Sequence, residues 1–264
     1  MSIRRAENRK KEQNLGKVIL ENRGYDCVKL LGQGAFSTVY CVRNKADNCL
    51  YACKISENIP LLEREAMLMS LLRHPLFPEY AAFRREAGLG FLLREYIDGV
   101  CLEAMLREGG CFTVEQTVQI GLELAAGLLY LHERPECFLF RDVKPANVVV
   151  CRKGGVKLID LGCVCSAEEK VTSRAGTRGF AAPEQLQEET ILGREIRLTT
   201  GCDVYGLGRT LQAMLRQEKS FLTQKRNRKR LERILDACTK ENASARISGM
   251  REVMAALEHG GAFS

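Results

Sequence analysis

The sequence predicts an α+β fold in two unequal lobes, a small antiparallel-sheet lobe with one helix followed by a larger helical lobe. Three observations carry that expectation. Short β-rich runs cluster between Tyr25 and Arg94, helical periodicity takes over after Gly99, and 264 residues suffice for one domain of two lobes around a substantial core. The boundaries that follow are a basic N-terminal extension over 1–24, a domain over 25–259 and a tail over 260–264. Within the domain the small lobe covers about 25–97 and the large lobe about 98–259.

The elements can be justified in order. The first 20 or so residues are polar and read as frayed or helical. Asp26–Leu31, Thr38–Arg43 and Leu50–Ile55 read as strands, with Lys45-Ala46-Asp47-Asn48 as a turn. Pro60 opens a helix over Leu61–Leu72, because a first-turn proline lacks only an N–H that would have no helical partner. Phe83 and Phe91–Arg94 flank a further hairpin with Gly88 and Gly90 near its turn. Thr113-x-x-Gln116 is a capping box, and Val118, Leu122, Ala125 and Leu129 behind it recur at the spacing of one buried helix face. Val148–Cys151 and Val156–Ile159 form a β pair joined through Lys153-Gly154-Gly155. Residues 160–184 are irregular, a length of loop that usually serves function. Cys202–Arg216, Lys229–Thr239 and Ser248–Glu258 complete the chain as helices.

Composition removes several classes. With 45% hydrophobic and 28% charged residues the chain is neither disordered, collagen-like nor a coiled-coil rod. No uncharged apolar stretch approaches ~18 residues, so no membrane span is expected. The basic start MSIRRAENRKKEQN lacks an apolar core, so it is not a secretory signal and a cytoplasmic location is expected. The net charge of +7 is concentrated: residues 1–23 carry +4 and residues 216–233 carry +6, leaving −3 elsewhere. The run Lys225-Arg226-Asn227-Arg228-Lys229-Arg230 could meet phosphate, RNA or an acidic partner. No aromatic residue interrupts it to stack on bases, so it reads as a solvated helix start or loop, and nucleic acid is not expected as a partner. The twelve cysteines include no C-x-x-C pair, and the three histidines are not at zinc spacing from them. They read as reduced, small apolar side chains. Cys163-Val164-Cys165 is the one close pair and a candidate for redox sensitivity.

Three motifs carry chemistry. Gly32-Gln33-Gly34-Ala35-Phe36-Ser37-Thr38-Val39 lies between two strands, where glycines let a hairpin backbone approach phosphates. A strand follows it, which excludes a dinucleotide-binding turn. Lys54, in Tyr51-Ala52-Cys53-Lys54, sits on an otherwise apolar strand and needs a counter-charge if it points inward; Glu65 is the candidate. Arg141-Asp142-Val143-Lys144-Pro145-Ala146-Asn147 is followed by Asp160-Leu161-Gly162. Phosphoryl transfer needs a carboxylate beside the attacking hydroxyl, a cation for the moving phosphate and hard oxygen ligands for Mg²⁺. Asp142, Lys144, Asn147 and Asp160 supply those types, and the hairpin between the last two folds them back together.

On these residues the chain resembles the protein kinases of the Ser/Thr type over about 25–258. The glycine loop, Ala52-x-Lys54, Phe140-Arg141-Asp142, Asp160-Leu161-Gly162 and Ala182-Pro183-Glu184 stand in family order. Gly176-Thr177 and Ala181-Ala182-Pro183-Glu184-Gln185 are similar in style to bacterial eukaryotic-like kinases. The resemblance implies a bilobal kinase-like fold, ATP and Mg as cofactors, and a protein substrate with a Ser/Thr acceptor. It also implies roles. Lys54 would hold the α- and β-phosphates and pair with Glu65. Asp142 would orient the substrate hydroxyl and accept its proton, and Lys144 would contact the γ-phosphate. Asn147 and Asp160 would ligate Mg. Gly32 and Gly34 would cover the phosphates. Glu95 and Ile97 would offer backbone groups to adenine, and Leu31, Val39, Ala52 and Val149 would enclose its ring. Thr177 would bridge Asp142 and Lys144. Asp203 would hold the catalytic loop, and Arg246 would pair with Glu184. Ser173 falls at the family's activation phosphosite, with Thr172 and Ser166 as further candidates and Arg141 as the phosphate's receiver. Autophosphorylation there would pass through a transient homodimer.

The sequence also departs from the family. Phe140 replaces a histidine and Leu161 a phenylalanine, within a hydrophobic spine expected to comprise Tyr80, Met69, Leu161 and Phe140. Arg94 occupies the gatekeeper position, where it must find an acceptor or extend to solvent. Lys54 and Glu65 are only eleven residues apart, so the intervening helix is expected to be truncated at its start. The stretch before Leu231 is short for a substrate-docking helix. The truncated helix and Arg94 motivate the alternative of a nucleotide-binding pseudokinase or scaffold. A small-molecule kinase shares the Asp…Asn…Asp core, but Gly176-Thr177 and Ala182-Pro183-Glu184 would shape a ledge for peptide.

Overall fold

The structure, a computed structural model, describes residues 2–34, 37–169, 175–186, 197–216 and 225–261. The chain forms two compact units. One comprises Met1–Arg73 and Pro78–Ile97, the other His74–Phe77 and Asp98–Ser264.

The first unit begins with helix α1 (Ser2–Asn22). Strands β1 (Tyr25–Gln33), β2 (Ser37–Asn44) and β3 (Leu50–Ser56) follow, then helix α2 (Ile59–Leu71), β4 (Tyr80–Glu86) and β5 (Leu89–Glu95). The strands form one antiparallel sheet in the order β1-β2-β3-β5-β4. Local chemistry sets the turns. Between β2 and β3 the Asn44 side chain accepts from Ala46 N and Asp47 accepts from Cys49 N, at 3.0 and 2.8 Å. Between β4 and β5, Ala87 and Gly88 both have positive φ (48° and 80°), the handedness that matches strand twist in a two-residue hairpin. Helix α2 starts at once after β3, because Asn58 accepts from Leu61 N (3.2 Å) and Pro60 lies in its first turn.

Both faces of this sheet are covered. Ile19 and Leu20 of α1 share a core with Tyr40, Val42, Cys53, Ile55, Leu89, Phe91 and Leu93. Leu62 of α2 lies against Gly90 on the other face. Strand β5 alternates between the two helices, which is why its sequence reads as one continuous apolar run. The polar N-terminal segment is therefore a packed helix of this unit rather than a frayed tail.

The second unit contains β6 (Gly99–Cys101), α3 (Leu102–Arg107), α4 (Val114–His132) and β7 (Phe138–Leu139). After these come β8 (Val148–Cys151), β9 (Val156–Leu158), β10 (Cys165–Ser166), α5 (Gly201–Leu215), α6 (Lys225–Cys238) and α7 (Met250–Gly261). Short sheets β6-β8-β9 and β7-β10 accompany the helices. The capping box of α4 is formed: Thr113 Oγ1 accepts from Gln116 N and Gln116 Oε1 accepts from Thr113 N (3.2 and 2.9 Å). Its buried face differs from the expected one. Val118 and Ala125 lie on it with Gly121, Leu124, Gly127, Leu128 and Leu131, while Leu122 and Leu129 are only half-buried. Glycine decides this. A Cβ on Gly121 would stand 2.8 Å from Leu211 and one on Gly127 2.1 Å from Leu76, so α4 turns its small residues toward its neighbours. The β6–β8 pairing had no strong signal, since a three-residue strand followed directly by a helix shows no period. Helix α6 includes Lys225–Arg228, ahead of the expected Lys229. The basic run thus lies within this helix, with Lys225, Arg226, Lys229 and Arg230 exposed and Arg228 bound to Glu232 and the Leu215 carbonyl. All twelve cysteines are free thiols, and among the described residues no helix is long and apolar enough to cross a membrane.

Candidate active site

Each unit holds one part of the predicted constellation. In the first, Lys54 Nζ lies 2.7 Å from Glu65 Oε2, with side chains 13% and 2% exposed. Alternation explains its aim. Cys53 and Ile55 point toward α1, so Lys54 points toward α2. The early start of α2 explains the short spacing, since Glu65 comes seven residues after the Asn58 cap and lies on the buried side with Leu62, Ala66 and Met69. A pair this buried is costly to half-remove, because the remaining charge is stranded away from water.

The glycine loop is a tight hairpin end. Gly32 pairs with Val39, and Gly34 N donates to Ser37 O at 2.8 Å; Ala35 and Phe36 lie outside the described residues. Among the described residues, a Cβ added at Gly32 would meet no other atom within 4 Å. The chain's own packing does not call for glycine there, whereas a ligand approaching the backbone would. Val39 stands opposite Lys54, and Ala52, buried, stands opposite Arg94. Arg94 is itself buried. Leu31 is 41% exposed. Glu95 closes β5 and gives its N–H to the Glu79 carbonyl at 2.8 Å, which takes that N–H out of consideration for adenine. Ile97 follows the strand.

In the second unit the candidate catalytic residues form one hydrogen-bonded group. Lys144 Nζ lies 2.7 Å from Asp142 Oδ2 and donates to Thr177 Oγ1 at 2.6 Å. Thr177 Oγ1 donates to Asp142 Oδ1 at 3.0 Å. Asn147 Nδ2 donates to the carbonyl and to Oδ2 of Asp142, at 2.9 and 3.1 Å. Both Asn147 N–H bonds thus go to Asp142, and the amide oxygen is the atom left for a cation. Val149 follows on β8, buried.

The β8–β9 hairpin returns the chain so that Ile159 N donates to Asn147 O at 2.9 Å, setting Asp160 one residue beyond Asn147's direct partner. Asp160 Oδ1 accepts from Gly162 N at 3.0 Å. An amide oxygen and a carboxylate on adjacent segments suit a Mg²⁺ ion, which takes one or two protein ligands and completes its shell with water and phosphate oxygens. Among the described residues no group of three His, Cys, Asp or Glu side chains is arranged for a metal.

The backbone beneath is fixed by buried acceptors. Asp203, fully buried on α5, accepts from Phe140 N (2.8 Å) and Arg141 N (2.7 Å), and His132 Nε2 lies 2.9 Å from it. These bonds hold Arg141 at φ 69°, a conformation that costs a non-glycine residue of order 1–3 kcal/mol. Gln185 Nε2 donates to the carbonyls of Arg141 and Ala175, at 2.8 and 3.0 Å. Gly176 has φ 108°, and a Cβ there would stand 2.7 Å from Ala181 Cβ and 3.0 Å from Arg141 O. Arg246 grips Glu184 with two bonds of 2.6 and 2.7 Å and also donates to three backbone carbonyls. Sequence reasoning missed His132 and Gln185. Their partners lie 71 and 44 residues away, and nothing local marks either side chain.

Of the phosphosite candidates, Thr172 and Ser173 lie outside the described residues. Ser166 is committed locally: its hydroxyl donates to Glu136 O (2.8 Å) and accepts from Glu168 N (3.2 Å). Burial pushes the Cys163 thiol up to about 11, and Cys165 is raised by the same cause, which works against a reactive thiolate at this pair.

Comparison with known proteins bears on this geometry. A family model described as "Protein kinase domain" matches residues 25–257. The chain is similar to Protein kinase 3 of Dictyostelium discoideum, 30% identical over 86% of this chain and 26% of that protein. It is similar to human RAC-beta serine/threonine-protein kinase, 31% identical over 77% of this chain and 43% of that one. It is likewise similar to human 3-phosphoinositide-dependent protein kinase 1, 32% identical over 68% and 34% respectively. The chain spans between about a quarter and two fifths of the length of these relatives.

Proposed function

The chain belongs to the protein kinase family, and on that premise we propose that it is a serine/threonine protein kinase that transfers the γ-phosphate of ATP to Ser/Thr hydroxyls of protein substrates. The observation that carries this reading is the closed group Asp142–Lys144–Thr177–Asn147. Asp142 has the placement of a group that receives a hydroxyl: Lys144, Thr177 and Asn147 restrain both its oxygens, so it would orient the acceptor oxygen and take its proton. Lys144, two residues after Asp142 as in the Ser/Thr type, would move its ammonium onto the γ-phosphate. Thr177 would keep Asp142 and Lys144 in register and so position the substrate.

Lys54, oriented by Glu65, would hold the α- and β-phosphates beneath Gly32 and Gly34. Leu31, Val39, Ala52 and Val149 would enclose adenine, with the Glu95 carbonyl and the Ile97 N–H as its hydrogen-bonding partners. Asn147 and Asp160 would hold Mg. When bound, the ion neutralises charge on the phosphate oxygens. The Lys54–Glu65 pair forms despite its short spacing, which bears on the truncated helix, one of the two motives for a pseudokinase reading.

Ser173 is proposed as an activation phosphosite received by Arg141, with Thr172 and Ser166 behind it, and a transient homodimer would phosphorylate it in trans. The free thiols and the use of ATP support a cytoplasmic location. The wording around Gly176-Thr177 and Ala181–Gln185 supports placement near the bacterial eukaryotic-like branch.

The test is incubation of the chain with Mg·ATP and a generic protein acceptor, read by mass spectrometry for phosphate and for the residue type that carries it. Asp142→Asn is expected to slow transfer by at least ~10²-fold, the scale for losing a proton-transfer group. Transfer at an undiminished rate in that variant would reject the assignment.

A further inference from the structure

Helix α1 lies outside the residues that match the family, 25–257, yet it is built into the sheet that carries Lys54 and the glycine loop. Its second half lies flat on that sheet. Gly16 is buried so closely that a Cβ on it would stand 3.0 Å from Ile55 Cδ1. Ile19 and Leu20 share their core with Cys53 and Ile55, the two residues that flank Lys54, and with Tyr40 and Val42 of β2. Lys17 Nζ sits 5.2 Å from the centroid of the Tyr40 ring, and Arg23 pairs with Glu86 of β4 at 2.9 Å.

One polar bond stands out among these apolar contacts. Gln13 Nε2 donates to Thr38 Oγ1 at 3.3 Å. Thr38 is the second residue of β2, pairs with Gln33 across β1 and with Ile55 across β3, and follows Ser37, whose carbonyl closes the glycine turn. By alternation Thr38, Tyr40 and Val42 face α1, while Val39 faces the side of Lys54 and Ala52. The β1–β2 ladder needs outside support, because its register shifts twice, between Cys27 and Lys29 and between Leu30 and Gly32, and β1 is a sheet edge.

We propose that α1 is a positioning element for nucleotide binding, in which Gln13 and the close approach at Gly16 hold the β1–β2 hairpin in register with β3 so that the glycine turn stays fixed relative to Lys54. The nucleotide part of this inference rests on the kinase reading; the mechanical part does not. Without α1 in place the hairpin would pivot at its two irregularities, and Gly32 and Gly34 would lose their alignment with the Lys54 ammonium.

The experiment compares the wild-type chain, Gln13→Ala, Thr38→Val and the double variant. Site-resolved hydrogen exchange is measured without nucleotide, and KM for ATP and kcat with it. Loss of one such hydrogen bond is expected to speed exchange of the Gly34 amide by about fivefold and to raise KM for ATP by a similar factor, leaving kcat within about twofold. Exchange in β4, β5 and α2 stays at its wild-type rate. The double variant is no worse than either single one, because both remove the same bond. Unchanged exchange at Gly34, uniform acceleration across the whole sheet, or additive effects in the double variant would each overturn the inference. A wild-type chain that transfers no phosphate overturns the kinase reading instead, and the exchange data then still decide whether α1 holds the hairpin.

Discussion

Asp203 shows most directly how one residue shapes the site. It is fully buried, carries no substrate-facing role, and spends both carboxylate oxygens on backbone N–H groups of the segment that ends in Asp142. Asparagine in its place keeps the shape but offers one acceptor oxygen and turns an N–H₂ toward a donor. A hydrogen bond to a charged group contributes about 1.5–3 kcal/mol, so Asp203→Asn is expected to lose about that much in urea denaturation. Transfer activity should fall with it, since Arg141 is then free to leave its positive-φ conformation. Wild-type stability in that variant would mean the anchor lies elsewhere. Asp203 and Arg246 were legible beforehand only through the resemblance. His132 and Gln185 were not legible at all, because a side chain's value as a tether depends on what lies across the fold from it.

At the scale of elements, packing overrides propensity. Alanine is a better helix former than glycine by about 1 kcal/mol, so propensity alone says that Gly127→Ala in α4 should stabilise the protein. The structure reverses the sign. The new methyl would stand 2.1 Å from Leu76 Cδ2 and 2.7 Å from Leu76 Cβ, in a segment also tied to β9 through Leu158 N to Leu76 O at 2.8 Å. Overpacking of this kind costs typically 1–3 kcal/mol, and a net loss of stability is the expected outcome in thermal or urea melts. A gain would show that the His74–Phe77 segment yields freely. The same conflict explains why apolar spacing chose the wrong side of α4 at Leu122 and Leu129: it counts large side chains and is blind to glycines that admit a neighbouring element. Strands β1 to β5 were readable because turn residues and β-rich runs delimit them. Strand β6 was not, because it is three residues long and pairs with the distant β8.

For the whole molecule, ligand linkage is the most direct check. A nucleotide that binds only the folded state at a hundredfold excess over its dissociation constant adds about 2.7 kcal/mol of stability. Mg·ATP is therefore expected to raise the melting temperature by several degrees, and chelation of Mg or Asp160→Asn to remove most of the rise. An ATP-induced shift indifferent to both would exclude Asp160 as a metal ligand. By itself the sequence determined the class of fold, the order of the main strands and of the longer helices from α2 onward, and which residue types could support phosphoryl transfer. Those properties follow from local spacing, turn chemistry and motif order, all of which are written along the chain. Tertiary structure alone decided that Ser2–Asn22 form one helix whose second half packs on the sheet, that α4 buries Gly121 and Gly127 where apolar spacing chose Leu122 and Leu129, and that His132 and Gln185 brace the segment around Arg141. Each of these depends on which surfaces meet in space, and burial and hydrogen bonding between distant segments leave no periodic trace in the residues that make them.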